Sequence, residues 1–223
     1  MIGSVHFFLF LAPVLAGLAQ TDEKIDTLGK SDAEILRMGG AKWSDYYTSK
    51  TNRSTAAYNE AWELYGDLAS KRNAKEIGRL SPQKQRPLKL LDTLLANYSS
   101  DIVDVARGIS GGGTMWNTAA YSGIADAEVT IYFVLHPGQI KAHGHHVVSQ
   151  VEKQLDKLPV LIDKIDYSPP DTPSKSDLKK QVAQAKVLYR RITAIAANFP
   201  RNASDQILGF CLDQADTAVQ QGQ

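Results

Sequence analysis

Four of the five histidines stand close together in the chain, at His136, His143, His145 and His146. Imidazole is the commonest metal ligand in proteins, and His143 and His146 would share one face of a helix because they are three residues apart. A catalytic zinc takes about three protein ligands and a structural zinc about four. The cluster is therefore typical of a divalent-metal or haem carrier.

The familiar metal and haem spacings are missing around these histidines. The sequence has no HExxH, no Glu-x-x-His pair and no CxxCH. The alternative interpretation is a solvated start of a helix, whose backbone Gly144 makes pliable. We favour this alternative, so we expect no obligatory cofactor.

Carboxylates form two further pairs on the predicted helices. Asp101 and Asp104 lie three residues apart on one helix, and Asp126 and Glu128 lie on the next. Such carboxylates normally solvate a helix surface, and we interpret them in this way. The triple glycine at 111–113 lacks the preceding strand and the GK[ST] ending of a phosphate-binding loop. With no Ser-His-Asp arrangement either, the sequence favours a protein that is not an enzyme.

A run of basic residues extends from Lys71 to Lys89, with Glu76 as its only acidic residue. The run is suited to phosphate, acidic glycan or anionic lipid, but such runs are more often solvated helix ends. The whole chain carries 25 basic and 24 acidic side chains, a net charge of +1. This balance gives no support to a nucleic-acid partner, and we expect none.

Aromatic residues cluster at Trp43, Tyr46 and Tyr47 and again at Tyr58, Trp62 and Tyr65. Helical spacing in the second group favours core packing, with a groove for an aromatic ligand or a carbohydrate as the alternative. The single cysteine, Cys211, excludes an intramolecular disulfide and is interpreted as a small buried hydrophobic residue.

The first 19 residues have the pattern of a signal peptide. An apolar run from Val5 to Leu15 is followed by small residues, Gly17 and Ala19, which fit a cut before Gln20. An uncleaved signal anchor and a buried N-terminal helix are the alternatives. We expect export to the periplasm or the extracellular space, with no transmembrane span in the mature chain. In a eukaryotic secretory pathway the sequons at Asn52, Asn97 and Asn202 would be candidate glycan sites.

Helical periodicity runs through almost all of the remaining chain, and no segment alternates like a strand. Helices are predicted over 31–49 (broken at Gly39–Gly40), 54–77, 87–110, 114–135, 139–158, 174–199 and 204–220. The helix over 87–110 is expected to begin at Pro87 and to bury a heptad stripe of Leu88, Leu91, Leu95, Tyr98, Ile102, Val105 and Ile109. The helix over 114–135 is expected to bury Trp116, Ala120, Ile124, Ala127, Ile131 and Val134.

Two local features mark helix ends. Ser174 with Asp177 is an acidic variant of the capping box, and Pro159 is expected to kink or end its helix. Short loops between long amphipathic helices favour antiparallel neighbours. The sequence therefore predicts an all-α, single-domain up-down bundle of about five to seven helices over residues 20–223, after a signal peptide at 1–19.

These patterns lead to two functional hypotheses. The first is an exported, non-enzymatic binding or structural module of the cell envelope or extracellular space, whose partner is a protein, an envelope component or a small molecule. The second is a metal- or haem-binding carrier that uses His136, His143, His145 and His146.

Overall fold

A computed structural model describes residues 27–111, 115–136, 148–166 and 173–223. These ranges contain eight α-helices and no strand, so the protein is all-helical as predicted. The helices are α1 (Asp32–Met38), α2 (Gly40–Lys50), α3 (Thr55–Ile77), α4 (Pro82–Ser110), α5 (Met115–Leu135), α6 (Val148–Asp163), α7 (Lys175–Ala196) and α8 (Arg201–Gln220). The predicted signal peptide at 1–19 lies outside the described residues.

The count of helices within the described ranges exceeds the predicted five to seven because Gly39 divides the segment 31–49 into α1 and α2. Gly39 has a φ of +83°, a conformation that L side chains rarely adopt. The next residue, Gly40, lies against the indole of Trp62, where an added Cβ would come within 1.9 Å of a ring carbon. The break and this close approach both depend on glycine.

The expected starting point of the heptad helix is wrong. α4 begins at Pro82, with Ser81 at the N-cap position, and Pro87 lies inside the helix. Pro82 fills the first helical position, where a missing N–H costs nothing. Pro87 is tolerated because it removes only one hydrogen bond, near the exposed end of the helix. Pro159 likewise does not end α6, which continues to Asp163.

Most of the apolar side chains pack into a larger core formed by α4, α6, α7, α8 and one face of α5. The predicted heptad stripe lies in this core from Leu88 to Val105, and Ile109 packs at its edge. The Tyr98 hydroxyl donates a 2.9 Å hydrogen bond to the backbone carbonyl of Cys211, so its polar atom is satisfied. Cys211 is fully buried, which confirms the interpretation of this thiol as a hydrophobic residue.

A smaller, more aromatic core lies between α1, α2, α3 and the other face of α5. Trp43, Tyr47 and Tyr65 are buried there, as expected for core packing, while Tyr46, Tyr58 and Trp62 are partly buried. The Trp43 indole N–H donates a 2.8 Å hydrogen bond to the carbonyl of Ala61. Gly66 allows α3 to approach α5 closely, since an added Cβ would lie 3.1 Å from the Cα of Ala125.

Helix α5 contributes to both cores, so its buried surface is wider than the single predicted stripe. Its larger-core side chains are Ala127, Ile131 and Val134, and its smaller-core side chains are Ala125, Val129 and Tyr132. The prediction is wrong for Ile124, which is 51% exposed, while Ala120 is only partly buried. The side chain of Trp116 lies outside the described residues.

Candidate ligand pocket

A cavity of about 230 Å³ opens where the two cores meet. We call it the junction pocket. Its lining residues come from the α1–α2 break and from α3, α5 and α8: Gly39, Gly40, Tyr65, Asp126, Val129, Thr130, Phe133, Gln206, Gly209, Phe210, Asp213 and Gln214. A cavity of roughly 150 Å³ holds one benzene ring. The junction pocket therefore accommodates a ring with a short polar chain.

Helical spacing places the polar groups of the pocket. Asp126 and Thr130 lie four residues apart on α5, and Gln206 and Asp213 lie two turns apart on α8. Because α5 packs against α8 in the fold, the two rows face each other across the cavity. Both rows are held by the larger core, so the pocket is built on rigid elements.

The hydroxyl donors that line the junction pocket are directed at backbone carbonyls. Thr130 Oγ1 donates to the carbonyl of Asp126 over 2.8 Å, and Tyr65 Oη donates to the carbonyl of Leu36 over 3.4 Å. Gln214, which also lines the pocket, accepts a 3.1 Å hydrogen bond at Oε1 from Ser99 Oγ. The side-chain amides of Gln206 and Gln214 are the N–H donors among the described lining side chains.

The Asp126 carboxyl dominates the chemistry of the pocket. Burial, and secondarily the negative charge of Asp213, raise the pKa of Asp126 to about 7. Among the described residues, no side chain donates a hydrogen bond to this carboxyl and none forms an ion pair with it. Burial, and secondarily the negative charge of Asp126, raise the pKa of Tyr65 well above its ordinary value. Interpreting Asp126 as a solvated surface carboxylate is therefore wrong.

Three other carboxylates that were expected on the surface are also partly buried. Burial, with a further contribution from Asp92, raises the pKa of Glu128 to about 7. Asn73 Nδ2 donates to the Glu128 carboxylate over 3.2 Å and to its backbone carbonyl over 2.8 Å. Burial, reinforced by Asp104, raises the pKa of Asp101 to about 6. Asp104 itself has a raised pKa because it is buried against α7.

The sequence contained a signal for this burial. α5 has two acidic residues and no lysine or arginine, and it is apolar around most of its circumference. A helix that is hydrophobic all round is buried. Its carboxylates then lie inside the protein or in a pocket, with no basic neighbour on the same helix to neutralise them.

Of the four candidate histidine ligands, only His136 lies within the described residues. It follows α5, and its Nε2 is 2.9 Å from Oε2 of Glu76. Its ring packs 4.5 Å from that of Tyr132, which Arg72 covers at 5.5 Å. His143, His145 and His146 lie outside the described residues, so the predicted cluster remains a prediction. Among the residues that are described, no group of three or more His, Cys, Asp or Glu could hold a metal ion.

A second cavity, of about 160 Å³, is lined by Glu152, Asp156, Lys186, Tyr189 and Arg190. Lys186 Nζ lies 2.6 Å from Oδ1 of Asp156, so these charges compensate each other across the cavity. Asp156 is also largely exposed to solvent. The second cavity therefore has less unsatisfied charge to offer a ligand than the junction pocket.

The remaining sequence features lie on the surface. The basic side chains from Lys71 to Lys89 are exposed except for Arg72, which is consistent with solvated helix ends. The sequon asparagines Asn52, Asn97 and Asn202 are all exposed, with Asn97 in the middle of α4. None of the helices in the described ranges is long and apolar enough to cross a membrane.

Comparison with known proteins gives no relative from which a function could be transferred. No protein-family model matches the chain, and neither a curated protein nor a solved structure matches it significantly. The function must therefore be argued from the geometry of the pocket.

Proposed function

We propose that this protein is an exported, non-enzymatic helical bundle that binds a small molecule in the junction pocket. The observation that carries this proposal is the Asp126 carboxyl, which faces a cavity of about 230 Å³ without a hydrogen-bond donor among the described residues. A partly desolvated carboxylate without a partner destabilises the fold. Groups of this kind concentrate at functional sites, where a ligand supplies the missing partner.

Binding is favoured over catalysis by the state of the hydroxyls in the pocket. A nucleophilic hydroxyl needs a base within hydrogen-bond reach. Thr130 Oγ1 instead donates to the backbone carbonyl of Asp126, and the Tyr65 hydroxyl is directed at the carbonyl of Leu36. Neither hydroxyl is activated, so the arrangement is suited to holding a ligand.

The architecture that we propose around the pocket is a single-domain up-down bundle over residues 20–223, after a signal peptide at 1–19. Contacts between α4 and α7 support the antiparallel arrangement. Gly108 faces Leu178 at one end of the pair, and Tyr98 faces Tyr189 at the other. Export is supported by the apolar run and the small residues before Gln20.

The metal- or haem-carrier hypothesis keeps one supporting observation. Oε2 of Glu76 lies 2.9 Å from Nε2 of His136, and carboxylates are common neighbours of metal-bound histidines. Zinc bound by His143 and His146 would raise the melting temperature by mass action, and replacing both with alanine would abolish the rise. An unchanged melting temperature with zinc, copper and haem would exclude this alternative.

Pocket occupancy can be tested with three probes of similar size and different charge, namely benzylamine, benzyl alcohol and benzoate. Each is titrated into the full chain while backbone amide shifts are followed by NMR. We expect at least one probe to shift the amides of Thr130 and Gly209, which line the pocket. Silence with all three probes would contradict the proposed function.

A matched pair of tryptophan variants separates pocket binding from adhesion to the surface. Gln206→Trp fills the pocket from its partly exposed edge, whereas Gln184→Trp places the same ring on the exposed face of α7. We expect the first variant to abolish the shifts and the second to leave them unchanged. Equal binding by both variants would show that the probe binds outside the junction pocket.

A further inference from the structure

The described lining of the junction pocket is acidic. It holds two carboxylates, Asp126 and Asp213, and no lysine, arginine or histidine. Opposite charges attract more strongly in a partly buried site than in bulk water. A cation that enters the pocket therefore compensates the Asp126 carboxyl, to which no described side chain donates a hydrogen bond.

Among the described lining residues, an anion finds no basic side chain and only the neutral amides of Gln206 and Gln214 as remaining side-chain donors. The hydroxyls of Thr130 and Tyr65 are directed at backbone carbonyls, and Gln214 Oε1 faces the hydroxyl of Ser99. Carboxylate and phosphate groups need several converging N–H or O–H donors or a basic side chain. The two carboxylates would in addition repel them.

The remaining lining distinguishes an organic cation from a metal ion. Calcium takes six to eight oxygen ligands and magnesium about six in near-octahedral geometry. The pocket instead combines its two carboxylates with the apolar side chains of Val129, Phe133 and Phe210. Aromatic and apolar walls around a few polar groups are typical of an organic ligand, and aromatic rings also attract ammonium groups.

We infer that the ligand of the junction pocket is a small organic ammonium compound, with its charged nitrogen against Asp126 and its apolar part against Phe133 and Phe210. This inference rests on the proposed function and adds the chemical class of the ligand. The cavity of about 230 Å³ limits the ligand to about one ring with a short amine chain.

Isothermal titration of the full chain with benzylamine tests the inference, with benzyl alcohol and benzoate as probes of similar size and different charge. We expect benzylamine to bind at least about ten times more tightly than either, since one ion pair in a partly buried site contributes about 1.4 kcal/mol or more. Tighter binding of benzoate or benzyl alcohol would overturn the ammonium assignment and leave the proposed function intact. Absence of binding by all three probes would contradict both the ammonium assignment and the proposed function.

Two variants test whether Asp126 is the carboxylate that binds the ammonium group. Asp126→Asn keeps the volume of the side chain and removes its charge, and it is expected to weaken benzylamine at least about tenfold. Asp45→Asn removes one exposed charge from α2 and is expected to change the affinity less than twofold. Equal effects of the two variants would show that only the net charge matters and would overturn the inference.

A competition experiment distinguishes inorganic cations. Calcium chloride or potassium chloride at the ionic strength of the titration is expected to weaken benzylamine only by screening, and by the same factor at equal ionic strength. Stoichiometric displacement by micromolar calcium would instead identify a metal site and overturn the assignment to an organic cation.

Discussion

The larger core and the junction pocket both border α5, but they differ in whether a key polar group, the Tyr98 hydroxyl or the Asp126 carboxyl, has a hydrogen-bond partner. In the larger core the side chains are mostly aliphatic, and the Tyr98 hydroxyl is satisfied by the carbonyl of Cys211. At the junction pocket, Asp126 keeps a carboxyl without a donor among the described residues. The buried hydroxyl of Tyr98 thus has its partner within the protein, whereas the Asp126 carboxyl faces a cavity.

A carboxylate should therefore lower stability in both regions, so adding one to the larger core and removing one from the junction pocket should have opposite effects. A carboxylate added to the larger core leaves a charge without water or a partner. A carboxylate removed from the junction pocket relieves a cost that the fold already carries. Three predictions follow the size of these effects, from the core to the pocket and then to the surface.

Leu95→Asp is expected to have the largest effect, a loss of more than about 4 kcal/mol in the free energy of unfolding. Leu95 is fully buried in the middle of α4. Urea unfolding followed by far-UV circular dichroism measures the loss. If the variant does not fold, Leu95→Ala is expected to cost about 2–5 kcal/mol through the cavity that it creates.

Leu90→Asp is the matched control on the same helix. Leu90 is 43% exposed, so the same substitution is expected to change stability by no more than about 0.5 kcal/mol. If both aspartates cost the same, the buried face of α4 has been assigned incorrectly. The comparison of the larger core with the junction pocket would then be contradicted.

Asp126→Asn is expected to stabilise the protein by on the order of 1–2 kcal/mol at pH 8. The reason is that Asp126, with a folded-state pKa of about 7, is charged at pH 8 although it is partly buried. The charged form is disfavoured in the folded state, which therefore binds more protons than the unfolded state between about pH 4 and 7. Stability of the parent protein should fall as the pH rises through this window. Thermal unfolding at several pH values measures this slope.

The groups that face Asp126 are Tyr65 from α3 and Asp213 from α8. Asp126→Asn should flatten the slope in part, because Glu128 and Asp101 titrate in the same window with pKa values of about 7 and about 6. At about pH 4 the variant and the parent should have nearly equal stability. A variant that is less stable than the parent at pH 8 would contradict the account of the pocket.

Ser174→Ala is expected to have the smallest effect, a loss of about 1 kcal/mol. The Ser174 hydroxyl accepts a 3.2 Å hydrogen bond from the backbone N–H of Asp177, as the capping box predicted, and donates to the Asp177 carboxylate over 2.7 Å. Ser81 occupies the N-cap position of α4 without a side-chain capping bond. Ser81→Ala is therefore the control and should cost less than about 0.5 kcal/mol; equal losses would mean that the capping bond adds nothing.

Helix positions could be predicted from the sequence because each depends on neighbours along the chain. The 3–4 spacing from Leu88 to Val105 is enough to define a buried face, and Gly39–Gly40 is enough to locate a break. The start of α4 was assigned to Pro87 because two prolines compete for the same role, and the sequence alone does not show that Pro82 takes it.

The pocket could not be predicted because it brings together distant parts of the chain. Asp126 on α5 meets Asp213 on α8 and Tyr65 on α3, and no spacing rule connects these residues. Considered alone, Asp126 and Glu128 have the pattern of surface carboxylates. Only the packing of α5 between two cores, with no basic residue of its own, places them inside.

The position of Cys211 gives the folded protein protection against oxidative cross-linking. Its thiol is the only one in the chain, is fully buried, and has a pKa raised well above the ordinary value by that burial. Reaction with an oxidant or a second thiol therefore requires opening of the larger core, in which the Tyr98 hydroxyl donates a hydrogen bond to the backbone carbonyl of Cys211. For a protein stable by about 5 kcal/mol, the globally open fraction is on the order of 10⁻⁴. In an oxidising compartment, the rate at which covalent dimers accumulate would be set by how often the bundle opens.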